Sequence, residues 1–427
     1  MPPIEDHPLR YAITNELHAR PFPSIEAPCH CVYVALKEPR NAASRDRDRD
    51  VSHLAALLER HGAPQPQPGV THYSGQIGRP MLKWESHTEF VTYSAFTPGN
   101  GARPFDPAEA GVFPEDWLAT AQGARLVSAL IRVDLLPEAP ADLSRLFDDW
   151  FVPESLACAW VLERAAVIAS DFRIDSAGHM RFAVFVRPGT SPRRIGRIVQ
   201  RLCEIETYKA MSMLGLPRAR TLGGRLNALE DQLAHLVADL SAETASAETT
   251  LHALLAVSAE LEALATQMAF RFGATTAYEA IVHDRIAALR EDRFEGRQTF
   301  TEFMTRRYDP AMRTVKSTER RLQQMSERAE RAGELLRTRV DVERSRQSQK
   351  LLESMDKRAD LQLRLQHTVE GLSIVAISYY AVSLATYVLG PVTHLWGIGH
   401  DGTAALLTPV VVLIAWFGLK RMRAKLH

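Results

Sequence analysis

Two uninterrupted apolar runs near the C-terminus dominate the hydrophobic pattern of the 427-residue chain. Residues 371–390 read GLSIVAISYYAVSLATYVLG and residues 403–419 read TAALLTPVVVLIAWFGL. No Asp, Glu, Lys or Arg lies between Glu370 and Asp401, or between Asp401 and Lys420. At about 1.5 Å per residue, the first run spans about 30 Å, the thickness of a bilayer's hydrocarbon core. The second lies near the short end of the spanning range. The stretch between them, 391–402, is rich in Gly and polar residues. The pattern predicts a transmembrane hairpin: a first helix at 371–390, an extracytoplasmic loop at 391–402 and a second helix at 403–419.

Charge orients the hairpin. Lys357, Arg358 and Arg364 precede the first run, and Lys420, Arg421, Arg423 and Lys425 follow the second in a 420–427 tail. The loop has neither Lys nor Arg. An excess of basic residues marks the cytoplasmic side, so both termini are expected in the cytoplasm.

The two runs are chemically unequal. Ser373, Tyr380, Ser383 and Tyr387 recur at helical spacing on one face of the first, with Ala376 filling the gap. One reading is a wet axis lined by these four hydroxyls. The other is that the serines are small-residue packing contacts and the tyrosines are interface anchors.

Upstream the period changes. Twenty-four of the 60 residues 311–370 are charged, with signs interspersed. Leu322, Met325, Ala329, Ala332 and Leu336 form a 3-4 seam, and Leu351, Leu352, Met355 and Ala359 resume it. Leu226, Leu229, Leu233, Leu236 and Leu240 make a similar stripe, as do Leu251, Leu254, Leu261, Leu264 and Met268. A Ser/Thr-rich connection is expected at 241–249, and a break at 271–276 with Gly273 closing a helix. Residues 191–370 therefore read as a helical bundle or coiled-coil stalk.

Residues 1–190 alternate differently. Strand-like runs at 31–36, 80–84, 87–96, 126–136, 158–161, 167–172 and 180–186 are separated by helical stretches at 50–61, 114–121 and 141–150. They predict a cytoplasmic α/β domain with a mixed sheet. The fold class is thus an α+β membrane protein.

Composition adds bounds. Lys+Arg and Asp+Glu are 51 each, so no whole-chain field favours nucleic acid, and none is expected as a partner. The four cysteines are too few for a disulfide framework, and the start lacks a signal-peptide pattern.

Candidate chemistry is sparse. Cys29-His30-Cys31 resembles half a metal site but reads better as alternating strand positions. His87 and Glu89 are expected on one strand face, as a possible acid/base pair or an ordinary polar pair. No phosphate loop, nucleophile elbow or metalloprotease motif is present in the sequence, so an enzyme is not expected.

Several motifs recur together: His7-Pro-Leu-Arg10, Asn15-Glu-Leu-His18-Ala-Arg20-Pro-Phe22, Trp84 with His87-Thr-Glu-Phe90, Glu204-Ile-Glu-Thr-Tyr208 with Leu216-Pro217, and Val369-Glu-Gly-Leu-Ser373 with Ser378-Tyr-Tyr380. They resemble a bacterial family of uncharacterized membrane-anchored proteins, a domain of unknown function. That resemblance implies a bacterial inner-membrane location and no particular activity. The order of elements is also similar to that of CorA-like cation channels. This second resemblance implies a homo-oligomer, a pentamer, whose first span lines a pore for a divalent cation such as magnesium. Those channels carry Gly-Met-Asn after the first span, where this chain has Gly390-Pro-Val-Thr-His394. The expected pore residues are Ser373, Tyr380, Ser383 and Tyr387, with His394, His400 and Asp401 as a cation-attracting outer ring. The alternatives are a membrane-anchored cytoplasmic scaffold or regulator without transport, and a tethered enzyme using Arg20, His87 and Glu89.

Overall fold

The run CHCVYVALK forms the centre of a sheet. It is rich in residues that fit a pleated surface, and its side chains are buried on both faces. Odd positions Cys31, Tyr33 and Ala35 enter one core, while Val32, Val34 and Leu36 enter another. The computed structural model describes residues 4–11, 13–14, 21–40, 42–242, 246–394 and 400–426.

The strands are β1 (Cys29–Lys37), β2 (His72–Gln76), β3 (Met81–Ser86), β4 (Val91–Pro98), β5 (Ala124–Leu135), β6 (Ala157–Val161), β7 (Ala166–Ser170), β8 (Met180–Val186) and β9 (Asp292–Arg293). Their order is β2-β3-β4-β1-β5-β8-β7-β6-β9. β5 and β8 pair in parallel and the other pairs are antiparallel, so the expected mixed sheet is present. Both edge strands escaped the sequence reading. His72–Gln76 contains one aromatic and no β-branched residue, and β9 is only two residues long.

Helices cover both faces. On one lie α1 (Arg47–Arg60), the short α2 (Glu115–Leu118) and α3 (Pro140–Trp150), which bring Leu54, Leu57, Leu58, Trp117, Leu143 and Phe147 against the even positions of β1. Asp46 caps α1 by accepting from the Asp48 amide, which satisfies one of the helix's free N–H groups. On the other face α4 (Pro192–Met213) contributes Ile195, Ile198, Val199 and Leu202. Truncating one such buried isoleucine or leucine to alanine costs about 2–5 kcal/mol.

Five helices follow: α5 (Gly215–Ala242), α6 (Ala247–Ala287), α7 (Phe300–Arg307), α8 (Asp309–His394) and α9 (His400–Leu426). The chain divides into two compact units, residues 1–242 with 252–332, and residues 243–251 with 333–427. In the first, the leucine stripes do what their spacing requires. Leu226, Leu229 and Leu233, then Leu254, Leu261 and Met268, then Leu322, Met325, Ala329 and Ala332 are all buried. The break expected at 271–276 is absent, because α6 runs through Gly273. Side chains on that turn are used for tertiary bonds, Thr275 donating to the Ser212 carbonyl at 3.2 Å.

In the second unit, Leu351, Leu352 and Met355 are exposed, although the seam expected there would bury them. The seam has no partner among the described residues of one chain. By length and composition alone, two helices can cross a membrane, α6 and α8 as far as Leu389, and 404–418 is a shorter apolar helix. α8 extends through Pro391 to His394, and α9 begins at His400, so the ends of the expected 391–402 loop are helical. Residues 395–399 lie outside those described.

Candidate functional site

The β3–β4 hairpin closes over four residues, with the His87 amide donating to the Phe90 carbonyl at 2.9 Å. The strand expected over 87–96 therefore starts later, at Val91, and His87 and Glu89 sit in a turn rather than on a strand face. Arg45 is the physical reason. Its guanidinium, nearly fully buried, donates to the carbonyls of His87 and Thr88 at 2.6 Å each and to that of Phe90 at 3.2 Å. The His87 and Thr88 carbonyls, turned inward to one cation, are unavailable to a strand ladder. Asp50 offsets the charge, accepting from Arg45 Nε at 2.7 Å.

The two expected partners have different surroundings. The His87 ring stacks on Phe90 with centroids 4.4 Å apart. Glu89, only 1% exposed, accepts from Arg271 Nη2 and from the Tyr278 hydroxyl at 3.1 Å, with Lys37 Nζ at 3.7 Å. Burial pushes the Tyr278 phenol up, and the Glu89 charge adds to the effect. Burial lowers the Lys37 ammonium, against the pull of Glu89. Glu89 thus reads as the anchor of α6 on the hairpin.

Two cavities, of about 240 and 410 Å³, share His87, Phe90 and Tyr208 in their walls. The floor of the smaller comes from strand register. Lys83 pairs with Ser94, which pairs with Tyr33, and Glu85 pairs with Thr92, so these residues share one face while Trp84 enters the opposite core. Gln200, Glu204 and Thr207 recur at i, i+4 and i+7 and form the α4 wall. A chain of polar bonds crosses the site. Lys83 Nζ lies 3.2 Å from Glu85 and donates to Gln200 Oε1 at 2.8 Å. Gln200 donates to Glu204 at 2.8 Å, and Arg285 on α6 donates to the other Glu204 oxygen. Phe22 closes one side.

The sequence reading did not single out Lys83, Gln200 or Arg285. Alternating charge inside the otherwise buried β3 was the available signal. His18 and Arg20 lie outside the described residues. Cys29 and Cys31 are buried in one core as alternating strand positions, and burial pushes the Cys29 thiol up to about 12. Among the described residues no cluster of three or more His, Cys, Asp or Glu can hold a metal ion.

In the second unit the apolar helices present two polar faces. Ser378 (5% exposed) and Thr386 (4%) are buried, and Ser378 borders a cavity of about 300 Å³ completed by Thr408 and Val412 of α9. Tyr380 and Tyr387 are 67% and 82% exposed, and Ser373 and Ser383 are half-buried. At about 100° per residue, this stripe is centred roughly 140° from the Ser378–Thr386 face. Asp401 is exposed on the first turn of α9. His394 and His400 belong to the helices by their backbone, and their side chains lie outside the described set.

Residues 5–426 match a protein family described as "Protein of unknown function (DUF3422)". Among curated proteins none matches the chain.

Proposed function

The chain belongs to the DUF3422 family, whose description carries no activity, and we propose from the geometry that it is an oligomeric cation conduit of the bacterial inner membrane. One observation carries the reading. The hydroxyl stripe Ser373–Tyr380–Ser383–Tyr387 is centred away from the Ser378 face that borders α9, with Tyr380 and Tyr387 exposed and Ser373 and Ser383 half-buried among the described residues. Polar side chains facing hydrocarbon are unfavourable, and copies of α8 arranged around an axis would turn the stripe inward. The exposed Leu351, Leu352 and Met355 support the same arrangement, because bundled helices would bury them. Both termini are cytoplasmic in this reading, with Lys420 lying 5.0 Å from the Trp416 ring at the inner boundary. Asp401 marks the outer mouth and attracts cations, magnesium being the first to test.

The test is twofold. The mass of the detergent-purified particle is measured first, and it should correspond to a ring of several chains, five in a CorA-like assembly. Cation flux into dye-loaded liposomes is measured next. A monomer or dimer, or flux no higher than in protein-free vesicles, overturns the conduit and leaves a membrane-anchored scaffold or regulator.

A further inference from the structure

The 240 Å³ cavity between β3, β4 and α4 lies within the first compact unit, far along the chain from the hydroxyl stripe, and nothing in the conduit reading uses it. Its construction differs from the neighbouring part of that sheet face, where Ile195, Ile198, Val199 and Leu202 of α4 join the apolar core with Cys31 and Ala35 of β1. Here a lysine and a glutamate, with side chains 8% and 14% exposed, replace apolar contacts. Buried charges are tolerated when paired and fully hydrogen-bonded. Lys83 and Glu85 are paired, but among the described residues Lys83 makes one other bond, to Gln200, and Glu85 makes none. An ammonium has three protons and a carboxylate accepts at several positions. Both therefore keep bonding capacity at the cavity wall.

The ligand's chemistry follows from charge, size and lining. A cation and an anion stand side by side, 3.2 Å apart, so the complementary group carries an anion and a cation on neighbouring atoms. An α-amino acid head group has that arrangement, its carboxylate meeting Lys83 and its ammonium meeting Glu85. The volume of about 240 Å³ suits a small organic ligand the size of an amino acid. Phe22, Phe90 and Phe96 provide apolar surface for a side chain. Glu204 and Arg285, already bonded to each other, occupy the more exposed edge. We propose that this cavity binds a free α-amino acid with an apolar side chain, with Lys83 and Glu85 as the determinants of recognition.

Full-length protein in detergent is titrated with L-leucine, L-methionine and L-phenylalanine, reading thermal unfolding by tryptophan fluorescence and heat by calorimetry. Two one-charge analogues of leucine, 3-methylbutylamine and 4-methylpentanoate, are run beside them. At least one of the three amino acids should raise the unfolding midpoint and give saturable heat, and neither analogue should. Glu85→Gln and Lys83→Met, each confirmed folded by a cooperative ligand-free transition, should each lose at least tenfold in affinity. Arg164→Gln, an exposed substitution on the β6–β7 turn, should bind as wild type does. No response to any of the three amino acids overturns the proposal. So does equal binding by either analogue, or binding that survives both cavity variants. No flux is measured, so failure of the conduit leaves this result intact, and failure here leaves the conduit intact.

Discussion

Glu89 and Arg271 stand 182 positions apart in the chain, and their hydrogen bond ties the tip of the β3–β4 hairpin to the middle of α6. Their surroundings make the pair vulnerable to losing one partner. Glu89 is almost fully enclosed, and the Tyr278 hydroxyl and Lys37 offset only part of its charge. Arg271→Met should therefore destabilise the first unit by about 3–5 kcal/mol, since removal of one partner strands a buried charge. The double variant Glu89→Met/Arg271→Met should recover part of that loss. Urea unfolding followed by tryptophan fluorescence checks both. A loss below about 1 kcal/mol for Arg271→Met would show that the pair is solvated.

Arg45 gives a second prediction. Replacing it with Met takes the Arg45 donor from the His87 and Thr88 carbonyls, leaves the Phe90 carbonyl with only the His87 amide, and leaves Asp50 buried without its partner. Arg45→Lys keeps the charge but loses the planar fork that reaches several carbonyls at once. Both variants should loosen the turn at His87–Phe90, with the Met variant more destabilised. Amide exchange at the hairpin provides the local readout. Protection there equal to wild type in Arg45→Met would contradict the clamp.

How much of this was legible in the sequence depended on whether the signal was periodic. β1, β5 and β8 were found because runs buried on both faces need continuous apolar character. The seam at Leu322–Ala332 was found because it repeats every three or four residues and is buried. The His87–Glu89 turn was misread as strand because its cause, Arg45, lies more than forty positions away and has no local signature. The Lys83–Gln200–Glu204–Arg285 chain was invisible for the same reason, since three separate elements supply it. The break expected at Gly273 failed because intrinsic helix propensity is weak beside the bonds made by Arg271, Thr275 and Tyr278.

Two histidines set the pH response of the first unit. Burial lowers His53, which lies 2.8 Å from the Tyr93 hydroxyl and stacks on Trp117 with centroids 4.0 Å apart. Burial also lowers His179, which contacts Ser128 Oγ at 2.7 Å. A histidine depressed in the folded state binds a proton more readily when unfolded. Its stabilising contribution is then fully present above the unfolded value of about 6.5 and is lost as pH falls from there. Asp50 and Glu291 are raised by burial and act in the opposite sense at more acidic pH. The difference between wild type and His53→Gln isolates the histidine. Wild type should lose on the order of 1 kcal/mol more than His53→Gln between pH 7.5 and 5.5. Parallel stability curves for the two proteins would refute this.

Orientation of the hairpin can be read chemically, because all four native cysteines are buried and background labelling should be low. Asp401→Cys should react with a membrane-impermeant maleimide in intact spheroplasts. Lys420→Cys should react only after lysis, as expected when basic residues flank the cytoplasmic ends. The reverse pattern would invert the topology.

Ser378 and Ser383 provide the sharpest test of whether the hydroxyl stripe lines the proposed conduit. They lie five positions apart on α8, Ser378 enclosed against α9 and Ser383 half-buried on the otherwise exposed tyrosine-bearing stripe. Leucine at 378 adds volume to a packed face and should destabilise the hairpin by about 1–3 kcal/mol, lowering the yield of assembled particle. Leucine at 383 adds an apolar group to an apolar helix and should leave assembly unchanged. If Ser383 faces the axis, Ser383→Leu blocks cation flux at every ionic strength. Asp401→Asn should act differently, because its charge works at a distance through solvent. Its effect should be greatest at low salt and fade above about 0.1 M, where the Debye length is about 10 Å. The measurements are particle mass and dye-reported flux across a salt series for all three variants. Wild-type flux in Ser383→Leu with intact particles removes Ser383 from the pore. Salt-independent loss in Asp401→Asn removes the outer charge ring.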